Sequence, residues 1–131
     1  MVGSVQAPHS VVGPPTSVAI TPEGIQVSPD HRHVAVVVIN GSARAPDHPL
    51  HGCGQLVMLR IEDGHLLRVA QGEMGSWGQG VAFNRDGTRV YVRNMVEREI
   101  QGFAFDGQRL TALPERIRVD GGPSALRTAQ R

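Results

Sequence analysis

An internal repeat is the feature that most limits what this chain can fold into. The stretch GIQVSPDHRHVAVVV (Gly24–Val38) aligns with GVAFNRDGTRVYVRN (Gly80–Asn94), at a spacing of about 56 residues. A second pair follows: LVMLRIEDGHLLRVA (Leu56–Ala70) aligns with EIQGFAFDGQRLTAL (Glu99–Leu113) through a shared Asp-Gly, at a spacing of about 43. A repeat of this length indicates an array of similar structural units.

The two spacings differ because the first unit carries an extra segment, GSARAPDHPLHGCG (Gly41–Gly54). It is polar and rich in Pro and Gly, which is typical of a loop insertion. Apolar residues alternate within each unit, and Asp-Gly pairs supply turns, so we predict four strands per unit. In the second unit the predicted strands are Val81–Asn84, Arg89–Asn94, Ile100–Phe105 and an irregular strand within Arg109–Val119.

No window shows a helical period with caps, and 16 Gly and 9 Pro favour many short strands. A four-stranded unit of about 43 residues is typical of a β-propeller blade. We therefore predict an all-β chain of two four-stranded antiparallel blades, with partial blade strands at both termini, which is an incomplete propeller. The predicted segments are a tail and partial strand (1–23), a first blade (24–79, with its insertion at 41–54), a second blade (80–120) and a strand of a further, closing blade (121–131).

The segments GIQVSPDHRHVAVVVINGS, GQGVAFNRDGTRVYVRNMVEREIQGFAFDG and GGPSALRTA resemble the YVTN-type, lactonase-like β-propeller family. The resemblance is to the C-terminal part of these proteins, which usually have seven blades, and NMVEREI is its most specific phrase. The stretch QAPHSVVGPPTSVAITPEG resembles an earlier blade of the same family. TPEG (Thr21–Gly24) thus fits the end of one family segment and the start of another, so we interpret the chain as a fragment or an internally deleted member. The alternative is a natural short protein whose first strand pairs unusually.

The resemblance implies a repeat scaffold that binds a small ligand or a protein partner on its loop face, and it leaves lactone hydrolysis open. No catalytic residue can be assigned. There is no GxSxG nucleophile elbow, and the absence of lysine excludes a Schiff-base lysine and a P-loop lysine. The rival hypotheses are a non-catalytic protein-interaction propeller and a truncated product with no function of its own.

Ligands of a propeller bind where the loops entering the innermost strands meet the loops between second and third strands. The sequence candidates at these loops are Trp77, Gln79, Asn40, Asn94, Arg93 and Glu97. Trp77 could stack on a ligand, or instead cap the core between blades. The asparagines could contact ligand or satisfy turn backbone, and Arg93 could bind an anion or be an ordinary solvated arginine.

The insertion holds the only cluster of metal-ligand residue types, His48 and His51 with Asp47 and Cys53 nearby. These types suit a divalent metal such as Zn²⁺ or Cu²⁺. No second ligand pair accompanies them, so the alternative is a solvated loop in which the histidines are incidental. No other cofactor is implied.

The formal net charge of +1 gives no electrostatic basis for binding nucleic acid or an anionic membrane. The N-terminal residues lack the pattern of a signal peptide, and the compartment stays undetermined because members of the resembled family are often exported.

Two blades cannot close a ring of four to eight, so we expect blade faces to stay exposed and the chain to form a homo-oligomer that completes the ring, to aggregate, or to remain partly molten. The faces expected to be open carry Val27, Val34, Val36, Val38, Val57 and Leu59 in the first unit, and Phe83, Val90, Val92, Phe103 and Phe105 in the second.

Overall fold

The computed structural model describes residues 13–122 and 125–127, which form two four-stranded antiparallel sheets. The first sheet contains β1 (Pro22–Val27), β2 (His33–Val38), β3 (Gly54–Glu62) and β4 (His65–Met74), paired in chain order. The second contains β5 (Gly78–Phe83), β6 (Arg89–Asn94), β7 (Glu99–Phe105) and β8 (Leu110–Arg118), also in chain order. The all-β prediction with two four-stranded units is therefore confirmed.

Residues 13–21, 119–122 and 125–127 lie outside the strands, and the rest of the two predicted terminal strands falls outside the described residues. No helix long and apolar enough to cross a membrane occurs in ranges 13–122 and 125–127.

The sequence repeat is reproduced in the strand pairing. Val27 pairs with Val34 in the first sheet, as Phe83 pairs with Val90 in the second. The pairing shifts register at the same place in both first strands, between Pro22 and Ile25 and between Gly78 and Val81. The residue just before each of these strands has a positive φ, 60° at Thr21 and 52° at Trp77. TPEG is therefore the structural counterpart of WGQG, and its last three residues lie in β1.

The two sheets stack face to face and share one apolar core. Strand alternation turns Ala35 and Val37 of β2 toward the second sheet, and Val90 and Val92 of β6 toward the first. The buried residues of this core are Ala35, Val37, Leu56, Met58, Met74, Val81, Phe83, Val90, Val92, Phe103 and Phe105. Each sheet thus buries one face of the other.

The opposite face of the first sheet is buried as well. Val34, Val36, Val38, Val57 and Leu59 form a second cluster, against which Val18 and Leu66 pack. The segment 13–20 crosses this face and is tied to β4: Thr16 Oγ1 donates to the carbonyl of Leu66 at 3.0 Å, and Arg68 Nη2 donates to the carbonyl of Val18 at 2.9 Å.

The expectation that these blade faces stay exposed is therefore wrong for all of the named residues except Val27, which is 48 % exposed. The physical reason is that the sheets cover each other and that segment 13–20 covers the far side of the first one.

Aspartates hold the tight turns. Asp86 Oδ1 accepts hydrogen bonds from the hydroxyl and the backbone N–H of Thr88, and Asp106 Oδ1 accepts from the backbone N–H groups of Arg109 and Gln108. These bonds favour the charged carboxylates and lower the pKa of both groups. The turns fix the hairpins whose other ends build the loop surface described next.

Candidate functional site

Three chain connections meet at one end of the two sheets, and we call residues 39–53, 75–77 and 94–98 together the loop surface. The backbone N–H of Gly75 donates to Asn94 Oδ1 at 3.0 Å, and that of Trp77 donates to the Ser42 hydroxyl at 3.0 Å. Residues 75–77 connect the two sheets, and we call them the link. These two hydrogen bonds fix the link to the loops on both sides of it. The structure brings together the loops that the sequence predicted to converge.

Asn94 is fully buried and its amide is occupied. Besides accepting from Gly75, it donates through Nδ2 to Glu99 Oε1 at 3.0 Å and to Gln101 Oε1 at 3.1 Å. A buried amide with all of its polar atoms hydrogen-bonded adds to loop rigidity. The structure therefore gives Asn94 a role in positioning the link between the sheets, the backbone role that the sequence had left open.

Glu97 also anchors this link. Both of its carboxylate oxygens lie within hydrogen-bond distance of the Ser76 backbone N–H, Oε1 at 3.0 Å and Oε2 at 2.9 Å. A charge-assisted bond to a backbone N–H is among the stronger hydrogen bonds of a protein surface. The Glu97 carboxylate therefore holds residue 76 of the link in place.

Trp77 stands at the centre of the loop surface. Its side chain is 39 % exposed and does not belong to the core between the sheets. Its φ of 52° matches that of 60° at Thr21, the equivalent residue of the first sheet, and belongs to the turn into the first strand of each sheet. The neighbouring candidate Gln79 is half-buried on β5, and Asn40 uses its Nδ2 to hold the Cys53 carbonyl at 3.1 Å.

Arg93 is the exceptional residue of the site. It precedes Asn94 on β6, points to the opposite face of the sheet, and is only 1 % exposed. Its Nε, Nη1 and Nη2 have no hydrogen-bond partner among the described residues. Burial lowers the pKa of the guanidinium from its usual value, because desolvation disfavours the charged form. The interpretation of Arg93 as an ordinary solvated arginine is therefore wrong.

The backbone around Arg93 explains its burial. A Cβ atom placed on Gly80 would lie 2.8 Å from Arg93 Nε and 3.0 Å from the backbone nitrogen of Leu126. The guanidinium therefore rests on the bare backbone of β5, and residues 125–127 pass over the same point. The corresponding residue of the first sheet is Val37, which is buried in the shared core. That match was the one signal in the sequence that Arg93 would be buried.

The two histidines of the insertion are tied to their own loop. His48 Nδ1 accepts from the Leu50 backbone N–H at 3.0 Å, and its Nε2 lies 3.3 Å from Arg44 Nη1. His51 Nδ1 lies 3.0 Å from the Arg44 carbonyl, to which it donates. Within residues 13–122 and 125–127, no group of three or more His, Cys, Asp or Glu side chains is arranged to hold a metal ion.

A metal titration tests the prediction of a divalent ion at His48 and His51. Because three of their four ring nitrogens already face loop atoms, we expect Zn²⁺ or Cu²⁺ to raise the melting temperature by less than about 4 °C, roughly the shift that 1 kcal/mol of binding would give in a chain of this size. A larger rise that disappears in His48→Ala/His51→Ala, but persists in the control His65→Ala, would establish the metal site.

No protein-family model matches the chain, and no curated protein matches it. Solved structures do match it. A protein of Bacteroides fragilis, provisionally assigned as a 6-phosphogluconolactonase, matches 79 % of this chain with a TM-score of 0.65 and 18 % identity. The periplasmic gluconolactonase PpgL of Pseudomonas aeruginosa matches 69 % with a TM-score of 0.56 and 20 % identity. The hydrazine synthase of Kuenenia stuttgartiensis matches 95 % with a TM-score of 0.58 and 16 % identity.

The two sheets have the fold of β-propeller blades. At these identities the likeness is one of fold, and the YVTN-type family stays a prediction. The chain spans between 26 % and 29 % of the length of the three matched structures. Two blades packed through one shared core form an open arrangement, with β5–β8 presenting one blade face to the outside.

Proposed function

We propose that the chain is part of a lactonase-like propeller, either a fragment or an internally deleted member, and that it binds a small anionic molecule at the guanidinium of Arg93, under residues 125–127 and next to the loop surface. The observation that carries this proposal is the buried guanidinium without a hydrogen-bond partner among the described residues. Burying an unpaired charge costs several kcal/mol in a folded protein, so such a group is strongly favoured to take up an acceptor.

A carboxylate or phosphate is the acceptor that best suits this group. The planar guanidinium presents its N–H groups in a fork that matches two oxygens of either anion. Trp77 at the same end of the blades adds an exposed aromatic surface on which a sugar-like ring can stack. Two of the matched structures are named for gluconolactone chemistry, and the sugar acid formed when such a lactone opens carries a carboxylate.

Binding, rather than hydrolysis, is the activity that we propose for this chain. Opening a lactone requires a base to activate water and donors to stabilise the developing oxyanion. Glu97 is the carboxylate candidate at the loop surface, and its oxygens are held by the Ser76 N–H. A non-catalytic interaction propeller is the second candidate, and it is favoured by the open face of the second blade.

Calorimetric titration of the full chain with gluconate and with 6-phosphogluconate tests the proposal. We expect binding of at least one acid, and a loss of affinity of about 10- to 150-fold in Arg93→Met, the range expected for hydrogen bonds to a charged group. The same substitution should leave stability unchanged or raise it, because it removes a buried unpaired charge. Trp77→Ala should weaken binding by about 1–3 kcal/mol without unfolding the chain.

The exposed Arg98 provides a matched control, because Arg98→Met removes a charge from the same loop surface without touching the buried site. Equal binding by wild type and Arg93→Met would overturn the proposal. Absence of binding to both acids would favour a truncated product with no function of its own. We expect the rate of lactone opening to be the same with the protein as in buffer alone. A faster rate with the protein would add hydrolysis to the function.

A further inference from the structure

The second blade carries a groove on the face turned away from the first blade. Its volume is about 270 Å³, and we call it the outer groove. It is lined by Arg89, Tyr91, Ile100, Gly102, Leu113, Glu115 and Ile117. Its floor is apolar, and Ile117 at one end is 57 % exposed.

The repeat shows that this face corresponds to a packing face of the first blade. The counterpart of Tyr91 in the first blade is Ala35, which is 0 % exposed in the core between the blades. The inner end of the same face is already covered, since Arg93 is buried beneath residues 125–127. Among residues 13–122 and 125–127, nothing covers the outer end of this face, over β6 to β8.

Two charged residues give the outer groove a polarity. Arg89 and Glu115 form no ion pair with any described residue, although both line the groove. Arg89 pairs with Ala104 on β7, and Glu115 on β8 directly precedes Arg116, the partner of Gln101. Two strand spacings of about 4.8 Å also separate β6 from β8, which puts the two charges roughly 10 Å apart or more.

We propose that the outer groove binds the outer groove of a second copy of this chain about a two-fold axis. A two-fold interface brings residue i of one copy to residue j of the other, and residue j to residue i. The axis places Arg89 of each copy against Glu115 of the other, and it buries both Ile117 side chains over the opposite apolar floor. An acidic or a basic partner would neutralise only one of the two charges, whereas a second copy neutralises both.

The size of the open face indicates a weak, transient dimer. Strands of 6 to 9 residues at about 3.3 Å per residue, spaced about 4.8 Å apart, give a face of roughly 20 by 25 Å. The described residues leave only the part over β6 to β8 open, about 14 Å of that width, so two copies would bury roughly 700 Å² in total, which is the size of a weak, transient interface. The dimer should therefore form only at high protein concentration and dissociate on dilution.

Sedimentation of the full chain over a range of concentrations tests this proposal, with variants in which the charges at positions 89 and 115 are reversed. Wild type should reach twice the chain mass of 14.1 kDa. Arg89→Glu alone and Glu115→Arg alone each place like charges against each other, so each should weaken the dimer by about tenfold or more. The double variant Arg89→Glu/Glu115→Arg restores both pairs and should dimerise like wild type.

Mixing the two single variants supplies the sharpest readout. In a mixed dimer the glutamate introduced at position 89 of one copy faces the arginine introduced at position 115 of the other. The native Glu115 of the first copy then faces the native Arg89 of the second, so the mixed dimer should form although neither variant dimerises well by itself. A purely structural effect of either substitution would not be reversed by mixing. The proposal is overturned by a wild type that stays monomeric, by single variants that associate like wild type, or by a larger closed ring that is insensitive to these charges.

Discussion

Replacing Phe103 with alanine is expected to lower the free energy of unfolding by about 3–5 kcal/mol. Phe103 is 1 % exposed on β7 and belongs to the core shared by the two blades. Its ring lies against the first blade so closely that a Cβ atom on Gly72 would be 2.9 Å from Phe103 Cε1. The substitution leaves a cavity between two rigid sheets, which cannot collapse to fill it.

Urea unfolding at a fixed protein concentration, followed by the fluorescence of Trp77, measures this effect. Leu50→Ala is the matched control, because Leu50 is a large aliphatic residue that is 57 % exposed on the insertion loop, and its loss should change stability by less than about 0.5 kcal/mol. A Phe103→Ala protein as stable as the Leu50→Ala control would mean that the two blades do not form one cooperative unit.

The same core bears on whether the chain folds alone. The sequence led us to expect a homo-oligomer that completes the ring, an aggregate or a partly molten state, because two blades of a ring have two unpaired outer faces. Segment 13–20 covers one of those faces, and on the other the part of the chain that the structure describes leaves the outer groove open. A cooperative melt of a monodisperse monomer would show that two blades suffice, and it would remove the main support for an internal deletion.

The strands could be predicted from the sequence because their signals are local. Alternation of valines in β2 and β6, with an aspartate turn before each, fixes both the element and its register. The burial of Val34 and Val36 could not be predicted. It depends on segment 13–20, which lies across the sheet and is held there by hydrogen bonds to Leu66 and Arg68. Such long-range contacts produce no periodic pattern in the sequence.

For the candidate site too, the sequence predicted where residues lie but not what they contact. The sequence brought Trp77, Asn94 and Glu97 to one end of the blades, because their positions follow from where strands begin and end. It could not assign their roles, which depend on distant partners such as the Gly75 and Ser76 backbone. The sequence left open whether Arg93 binds an anion or is solvated, because its burial depends on residues 125–127, more than thirty positions away in the chain.

Substituting alanine for Gly75 is expected to destabilise the chain by about 3 kcal/mol, the upper end of the usual range for overpacking. A Cβ atom on Gly75 would lie 2.5 Å from Asn94 Cγ and 2.7 Å from Asn94 Nδ2. Asn94 cannot move aside, because its amide is buried and bonded to Glu99 and Gln101. The new methyl group must therefore displace the link between the blades and break the bond from the Gly75 N–H to Asn94.

Ser76→Ala is the neighbouring control, because Glu97 binds the backbone N–H of Ser76, which the substitution keeps. Urea unfolding should give near-wild-type stability for Ser76→Ala and a large loss for Gly75→Ala. Because the link carries Trp77, Gly75→Ala should also increase the solvent exposure of that ring, visible as a red shift of its emission in the still-folded protein. A Gly75→Ala chain with wild-type stability and emission would show that the link tolerates displacement, and that Asn94 does not fix the loop surface.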